Sequence, residues 1–358
     1  MNFNFICPIN QLGYGVASGN IVKALGELGN SIALWPLGKP DWPNQEDHEL
    51  FTTCMHLTDL PDFNAPCIRI WHQNDMSQFV GRGPKIGFPI FEMDRFTEVE
   101  VHHLSSLDKI FVCSKWAKKI VEENVNISPE NVHVIPLGVN PDIFSSTGIA
   151  GRKETVFFNC GKWEIRKGHD IISEAFDRAF EPDDNVELWM MCANPFYSPQ
   201  ENYDWERQYK TCKMGSKVRM IPKQRDQHSV SDIMKTADCG VFPAKAEGWN
   251  LELLEMMSCG KHVIATNYSG HTEFCNSENC MLIECDELED AHDGKWFNGQ
   301  GQWAKIDEKQ IDMIAAYMRD IHALKQSGLL EKNIAGIETA QKFSWENSAQ
   351  AILDINYG

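Results

Sequence analysis

The feature that most limits what this chain can fold into is an alternation, run twice, of short apolar stretches with amphipathic ones. Residues 3–7 (FNFIC) are followed by a glycine-bearing loop with Gly13 and Gly15, a helical pattern from Ser18 to Leu28, and an apolar run from Ser31 to Leu37. Further runs at 67–72, 85–90, 109–114 and 133–138 are short, apolar and bounded by turn residues, as strands buried on both faces should be. Residues 115–125 read as a helix capped by Ser114. The pattern stops around Asn140 to Arg152, among Pro141, Gly148 and Gly151, and restarts at TVFFNCG. Strands are then expected at 155–160, 186–192, 217–221, 239–242 and 262–266. Helices are expected at 169–180, 229–236 and 250–258, with a polar connection after 192 and an irregular excursion over 286–304. The pattern predicts two doubly wound, Rossmann-like α/β domains, 1–150 and 151–344, with an amphipathic helix at about 345–358 packing back on the first. Ligands of such sheets bind beyond the carboxyl ends of the strands, so two domains facing each other would share a central cleft.

Charge narrows the ligand. The 33 basic minus 51 acidic residues give −18, a field that disfavours nucleic acid and allows at most peripheral membrane contact. A small nucleotide can still be held by a few well-aimed lysines. The start of the chain lacks the basic flank and apolar run of a signal peptide, and no stretch of eighteen apolar residues occurs, so a cytoplasmic protein is expected. The 12 cysteines include no C-x-x-C pair, which argues against a zinc site or disulfides and for small buried residues of a reducing compartment. Gly13, Gly15 and Gly19 do not complete G-x-G-x-x-G, and no acidic residue ends the second strand, so a dinucleotide dehydrogenase is disfavoured.

Two segments carry candidate chemistry. In AEGWNLELLEMMSCG (246–260) a loop leads into a helix whose first-turn N–H groups, near Gly248, Trp249, Asn250 and Leu251, can point at an anion. Glu247 stands beside that anion, and an ionised Glu255 further along the helix can accept hydrogen bonds from two ribose hydroxyls. Taken alone, both glutamates are better read as solvated helix and loop residues. In GKWEIRKGHD (161–170), Lys162, Arg166 and Lys167 lie at the end of another strand, where they can neutralise a diphosphate or form a solvated basic turn. The two loops are topologically equivalent and converge on one crevice, which outlines a nucleotide-sugar site.

At this point the sequence resembles the retaining GT-B glycosyltransferases of the large group 1 (GT4-like) family. EGWNLELLEMMSCGKHVIATNYSGHTE (247–273), with Glu247 and Glu255 eight apart, is similar to that family's E-x7-E segment. GKWEIRKG resembles its G-R-L…K-G loop, VIPLGVNPDIF (134–144) its interdomain element, and FSWENSAQAIL its closing helix. The resemblance implies a GT-B fold and hexose transfer from a UDP- or GDP-sugar to a hydroxyl acceptor, with retention. The sequence has no D-x-D motif to hold a divalent ion between phosphates, and lysines and helix-end amides can stabilise the leaving diphosphate, so transfer without a metal or other cofactor is expected. The resemblance also implies that Glu255 holds the ribose, Glu247 the transferred sugar, and Lys167 and Lys162 the diphosphate. Lys162 replaces the family's usual arginine and supplies no bidentate fork, so Arg166 can share its role. Asn250 stands for glycine and His262 for proline.

The first half contributes further candidates. Gly13-Tyr14-Gly15 would line the cleft near the diphosphate, though a plain tight turn fits as well. His72, in IWHQND, lies where relatives place an active-site histidine; a structural role fits it equally. Asn74, Asp75 and Glu92 are candidates for contacting the acceptor, a glycan, lipid-linked or small molecule. The rival readings are an epimerase or phosphorylase on the same plan, a silent nucleotide-sugar binder, and a glycosyltransferase acting on modified DNA bases through Lys115, Lys118 and Lys119.

Overall fold

The computed structural model describes residues 1–42, 45–149 and 151–357. These divide into two compact units, residues 1–140 joined by 342–358, and residues 141–341. Ala150 and Gly358, where the expected first domain and closing helix end, lie outside the described residues.

The first unit runs β1 (Asn2–Cys7), α1 (Gly13–Glu27), β2 (Ser31–Pro36), α2 (Gln45–His56), β3 (Cys67–Arg69), β4 (Lys85–Gly87), α3 (Glu98–Ser105), β5 (Lys109–Val112), α4 (Lys115–Asn124) and β6 (Val132–Val134). Its strands are all parallel, in the order β2-β1-β3-β4-β5-β6. Both faces of β1 are covered, so Phe3, Phe5 and the polar Asn4 are alike buried, and Asn4 satisfies its amide on the Asp62 carbonyl at 2.9 Å. The Ser114 hydroxyl caps α4 by accepting the Ala117 N–H at 3.1 Å.

Helix α1 corrects the expected loop. Gly13 and Gly15 belong to its first turn, and Leu12 is an N-cap without a side-chain bond. Ser18, the expected start, lies in the second turn, its hydroxyl donating back to the Tyr14 carbonyl at 2.7 Å. Gly15 is required by packing, because a Cβ there would lie 2.5 Å from the Asn10 backbone.

The second unit runs β7 (Thr155–Gly161), α5 (His169–Ala179), β8 (Val186–Cys192), α6 (Pro199–Thr211), β9 (Val218–Met220), α7 (Gln227–Thr236), β10 (Cys239–Phe242), α8 (Leu251–Ser258), β11 (His262–Thr266), β12 (Met281–Ile283), β13 (Leu288–His292), β14 (Asn298–Ala304), α9 (Glu308–Gln326) and α10 (Ile334–Lys342). The six strands β7 to β12 form a parallel sheet in the order β12-β11-β10-β7-β8-β9. Beneath it Phe157, Ile172, Phe176, Leu188, Val241 and Ile314 form one buried core.

Two connections differ from expectation. The polar stretch after β8 contains α6, started by a capping box in which Ser198 and Glu201 bond each other's backbone N–H groups. The 286–304 excursion is an antiparallel hairpin of β13 and β14. Its turn is closed by Asp293, whose Oδ1 accepts the N–H groups of Lys295, Trp296 and Phe297 at 2.7–2.9 Å.

The last helix, α11 (Trp345–Leu353), packs on α1, and its Ser348 hydroxyl donates to the Pro136 carbonyl at 2.6 Å. All 12 cysteines are free thiols. No helix among the described residues is long and apolar enough to cross a membrane.

Candidate functional site

The chain leaves β7 outward through β8 and β9, then returns to place β10 on the other flank of β7. The reversal makes a topological switch point between β7 and β10, where open α/β sheets bind ligands beyond the strand ends. Loops 161–168 and 243–250 both emerge there, and the Lys245 N–H donates to the Arg166 carbonyl at 2.7 Å to join them. Gly168 has φ +72°, and a Cβ on it would lie 2.2 Å from the Pro243 carbonyl oxygen, so only glycine allows this approach.

Four of the candidate side chains meet in one network with a fifth, Glu164, buried at Glu164, Arg166 and Glu247 and open to solvent at Lys162. Glu247 accepts the Lys167 ammonium at 2.7 Å on Oε1 and the Arg166 guanidinium at 2.8 Å on Oε2. Burial opposes its charge, but Arg166 and Lys167 outweigh burial and hold its carboxyl well below the usual carboxylate range. Lys167 is likewise pulled down by burial and more than restored by Glu247 and Glu252, so it stays charged. Arg166 also donates to the Ala246 carbonyl at 2.7 Å and to Glu164 at 2.6 Å. The guanidinium expected to share a diphosphate is therefore turned onto three protein acceptors. Glu164 reaches Lys162 as well, at 2.9 Å, and is lowered in pKa by Arg166 and Lys162 against its burial.

A buried imidazole fixes the β7 loop from below. The Glu164 N–H donates to His169 Nδ1 at 3.0 Å, which assigns the ring proton to Nε2, 2.9 Å from Asn159 Oδ1. Burial, aided by the Lys167 charge, drives His169 down to about 3, so it stays neutral.

The second loop is shaped by residues 269–271. Ser269 Oγ accepts the Glu247 N–H at 2.9 Å, and the Gly270 N–H donates to the Glu247 carbonyl at 2.9 Å. Gly248 lies directly under Gly270, where a Cβ would come 2.4 Å from its oxygen. Asn250 adopts φ +83°, which accounts for the residue that replaces glycine here, since asparagine tolerates the left-handed region best among non-glycines. Its Oδ1 caps Leu253 at 3.1 Å and its amide donates to His271 Nε2 at 2.9 Å. Asn250→Ala is expected to destabilise the protein by about 2–3 kcal/mol, the sum of a lost cap and left-handed strain. Urea unfolding checks this, and a loss under 0.5 kcal/mol (about the scatter of surface substitutions) counts against it.

Trp249 is buried against Phe274, with ring centroids 5.0 Å apart, and Leu251 begins α8. Glu255, one turn on, differs from expectation. Burial first, and then the Glu252 carboxylate, push it up to about 8, so at neutral pH it is a protonated acid with one donor and one acceptor.

The first-unit candidates lie at the carboxyl ends of β1, β3 and β4. His72 is exposed, its ring 4.8 Å from Tyr14 and 4.9 Å from Trp71. The Tyr14 hydroxyl donates to the Ile90 carbonyl at 2.6 Å and accepts the Ile90 N–H at 3.0 Å. Burial and then the nearby Glu92 charge push its pKa up. Asn74 is exposed. Asp75 is drawn onto the buried Arg69, whose guanidinium reaches its carboxylate and its carbonyl at 2.8 Å, so one carboxylate oxygen is already engaged. Gly13 starts α1 with open space at its Cβ position. Glu164, His169 and Trp71 were not among the expected site residues; the first two carried a signal in lying within the cationic segment GKWEIRKGHD.

Two parallel six-stranded Rossmann-like sheets, the second with its charged network at the switch point, define the GT-B class of fold. The same fold is found in sucrose-phosphate synthase from Thermosynechococcus elongatus, with a TM-score of 0.71 at 14% identity over 98% of this chain and 97% of that one. It is also found in Anabaena Alr3699/HepE solved with UDP-glucose, with a TM-score of 0.68 at 14% identity over 99% and 98% of the two chains. Residues 154–293, within the second unit, match the family model of group 1 glycosyl transferases. An uncharacterised glycosyltransferase of Methanocaldococcus jannaschii is 24% identical over 249 residues, which span 69% of this chain and 59% of that protein.

Proposed function

We propose that the protein moves a hexose from a UDP- or GDP-sugar to a hydroxyl acceptor, with retention of configuration and without a metal, in the cytoplasm. The observation that carries this reading is the Lys167–Glu247–Arg166 cluster at the switch point of the second sheet. Breaking a sugar–phosphate bond leaves negative charge on the departing diphosphate and positive charge on the anomeric carbon. Lys167, Lys162 and the positive end of α8 stabilise the first, and the ionised Glu247 faces the hydroxyls of the sugar that bears the second. The acceptor oxygen attacks the same face that the diphosphate leaves, because no side chain of the cluster is free to act as a covalent nucleophile: Glu247 is engaged by two cations. Glu255 serves the ribose, donating from its protonated oxygen and accepting on the other. The binding of UDP-glucose by a protein of the same fold is consistent with this donor class.

A thermal-shift screen with UDP, GDP, ADP and their sugars tests the reading. A ligand of the native state at a hundred times its Kd adds about 2.7 kcal/mol, a rise of several degrees. The largest rise is expected with a uridine or guanosine nucleotide. No shift with any of them refutes the proposal.

A further inference from the structure

Arg166 lies between the two donor loops, yet its terminal nitrogens are committed to the protein. Nη1 bonds Ala246 and Glu247, and Nη2 bonds Glu164, with the side chain only 5% exposed. Glu247 thus has a separate cation on each oxygen, Arg166 on Oε2 and Lys167 on Oε1. A diphosphate that engages Lys167 withdraws one of them. A carboxylate buried as deeply as Glu247 would then take up a proton or turn away unless its second cation stayed. Arg166 cannot follow Lys167, because Glu164 braces it from behind while holding Lys162 on its other oxygen. His169 and His271 also feel the Glu247 charge but are kept neutral by burial, and Glu252, which acts on Lys167, can add only negative charge, so none of these replaces the lost cation.

We propose that Arg166 is a positioning residue: it keeps Glu247 ionised and aimed at the transferred sugar while Lys167 passes from Glu247 to the diphosphate. The proposal rests on the donor reading above, and it separates two neighbouring cations into different tasks, Lys167 for the phosphates and Arg166 for the acid. A fork-shaped guanidinium suits the second, since three acceptors must be met at fixed angles.

The test is a double-mutant cycle of Arg166→Met and Glu247→Gln in the full chain, read by calorimetry with inorganic pyrophosphate, UDP, GDP, UDP-glucose and GDP-mannose. Arg166→Met is expected to leave pyrophosphate affinity within about threefold. It should weaken the nucleotide sugar relative to its own nucleoside diphosphate about tenfold, as Glu247→Gln does, and the double variant should lose no more than either single one. The nucleotide-sugar preference should also fail at higher pH on the acid side in Arg166→Met, because Glu247 without Arg166 moves back toward the ordinary carboxylate range. A tenfold or larger loss of pyrophosphate affinity that persists in the Glu247→Gln background makes Arg166 a phosphate ligand and overturns the proposal; so does an unchanged nucleotide-sugar preference. If the methionine variant does not fold, Arg166→Lys retains the charge without the fork. It should show a smaller loss that again vanishes in the Glu247→Gln background, and additive loss overturns the proposal. Wild-type protein that binds none of the probes, or Lys167→Met protein that binds pyrophosphate as wild type does, refutes the donor reading instead.

Discussion

Replacing Lys167 by methionine is expected to cut nucleotide-sugar turnover by about 10²–10³-fold, the scale set by deleting one preorganised charge-stabilising donor. Methionine preserves the aliphatic length that lies along the loop and removes only the charge. The fold should survive, because Glu247 keeps Arg166 on its second oxygen and stays ionised. Nucleoside diphosphate release, together with UDP and GDP affinity, reads the effect. Lys167→Arg should recover part of the activity through charge alone, since the guanidinium is longer and planar. Turnover within tenfold of wild type in Lys167→Met would remove this lysine from the chemistry.

The second large effect is on stability against pH. The Glu255 carboxyl is raised from 4.5 in a free chain to about 8 in the fold by burial and by Glu252. The folded protein therefore keeps a proton that the unfolded chain releases, and stability falls as pH rises from 4.5 toward 8. At about 1.4 kcal/mol per pKa unit, the loss is of order a few kcal/mol. Glu255→Gln cannot lose a proton, so it should match wild type near pH 4.5 and exceed it by that amount above pH 8. Glu247 works with the opposite sign: its lowered pKa contributes stability above the ordinary carboxylate range that is lost in acid. Urea unfolding of both proteins at pH 5, 7 and 8.5 separates the two, and parallel curves would show that Glu255 titrates normally.

Much of the fold was legible because the signals are local. A strand buried on both faces is a short apolar run wherever it occurs, and the stretches at 155–160, 186–192 and 239–242 appear as β7, β8 and β10. Ser114 announces α4 because capping joins residues three apart. The hairpin over 286–304 was hidden by Gly294, Gly299 and Gly301, which read as loop but serve a turn and the strand that carries the buried Trp303. Helix α1 was placed too late because glycine marks a stop in an isolated pattern, whereas here the close passage of Asn10 requires it. The candidate donor residues were legible as two loops at equivalent strand ends, which the sheet order brings to one place.

The amino-acid pattern by itself determined the alternation of strands and helices, the two sheets, and the types of side chain at the strand ends, since periodicity, caps and turns are settled by near neighbours. Only the tertiary structure decided what those side chains do to one another. Arg166 and Glu247 are 81 residues apart and meet only because β7 and β10 are neighbours. That meeting turns a supposed phosphate ligand inward. Glu255 is an ordinary glutamate in the chain and an acid that keeps its proton in the fold, because burial is a property of everything packed around a residue rather than of the residue.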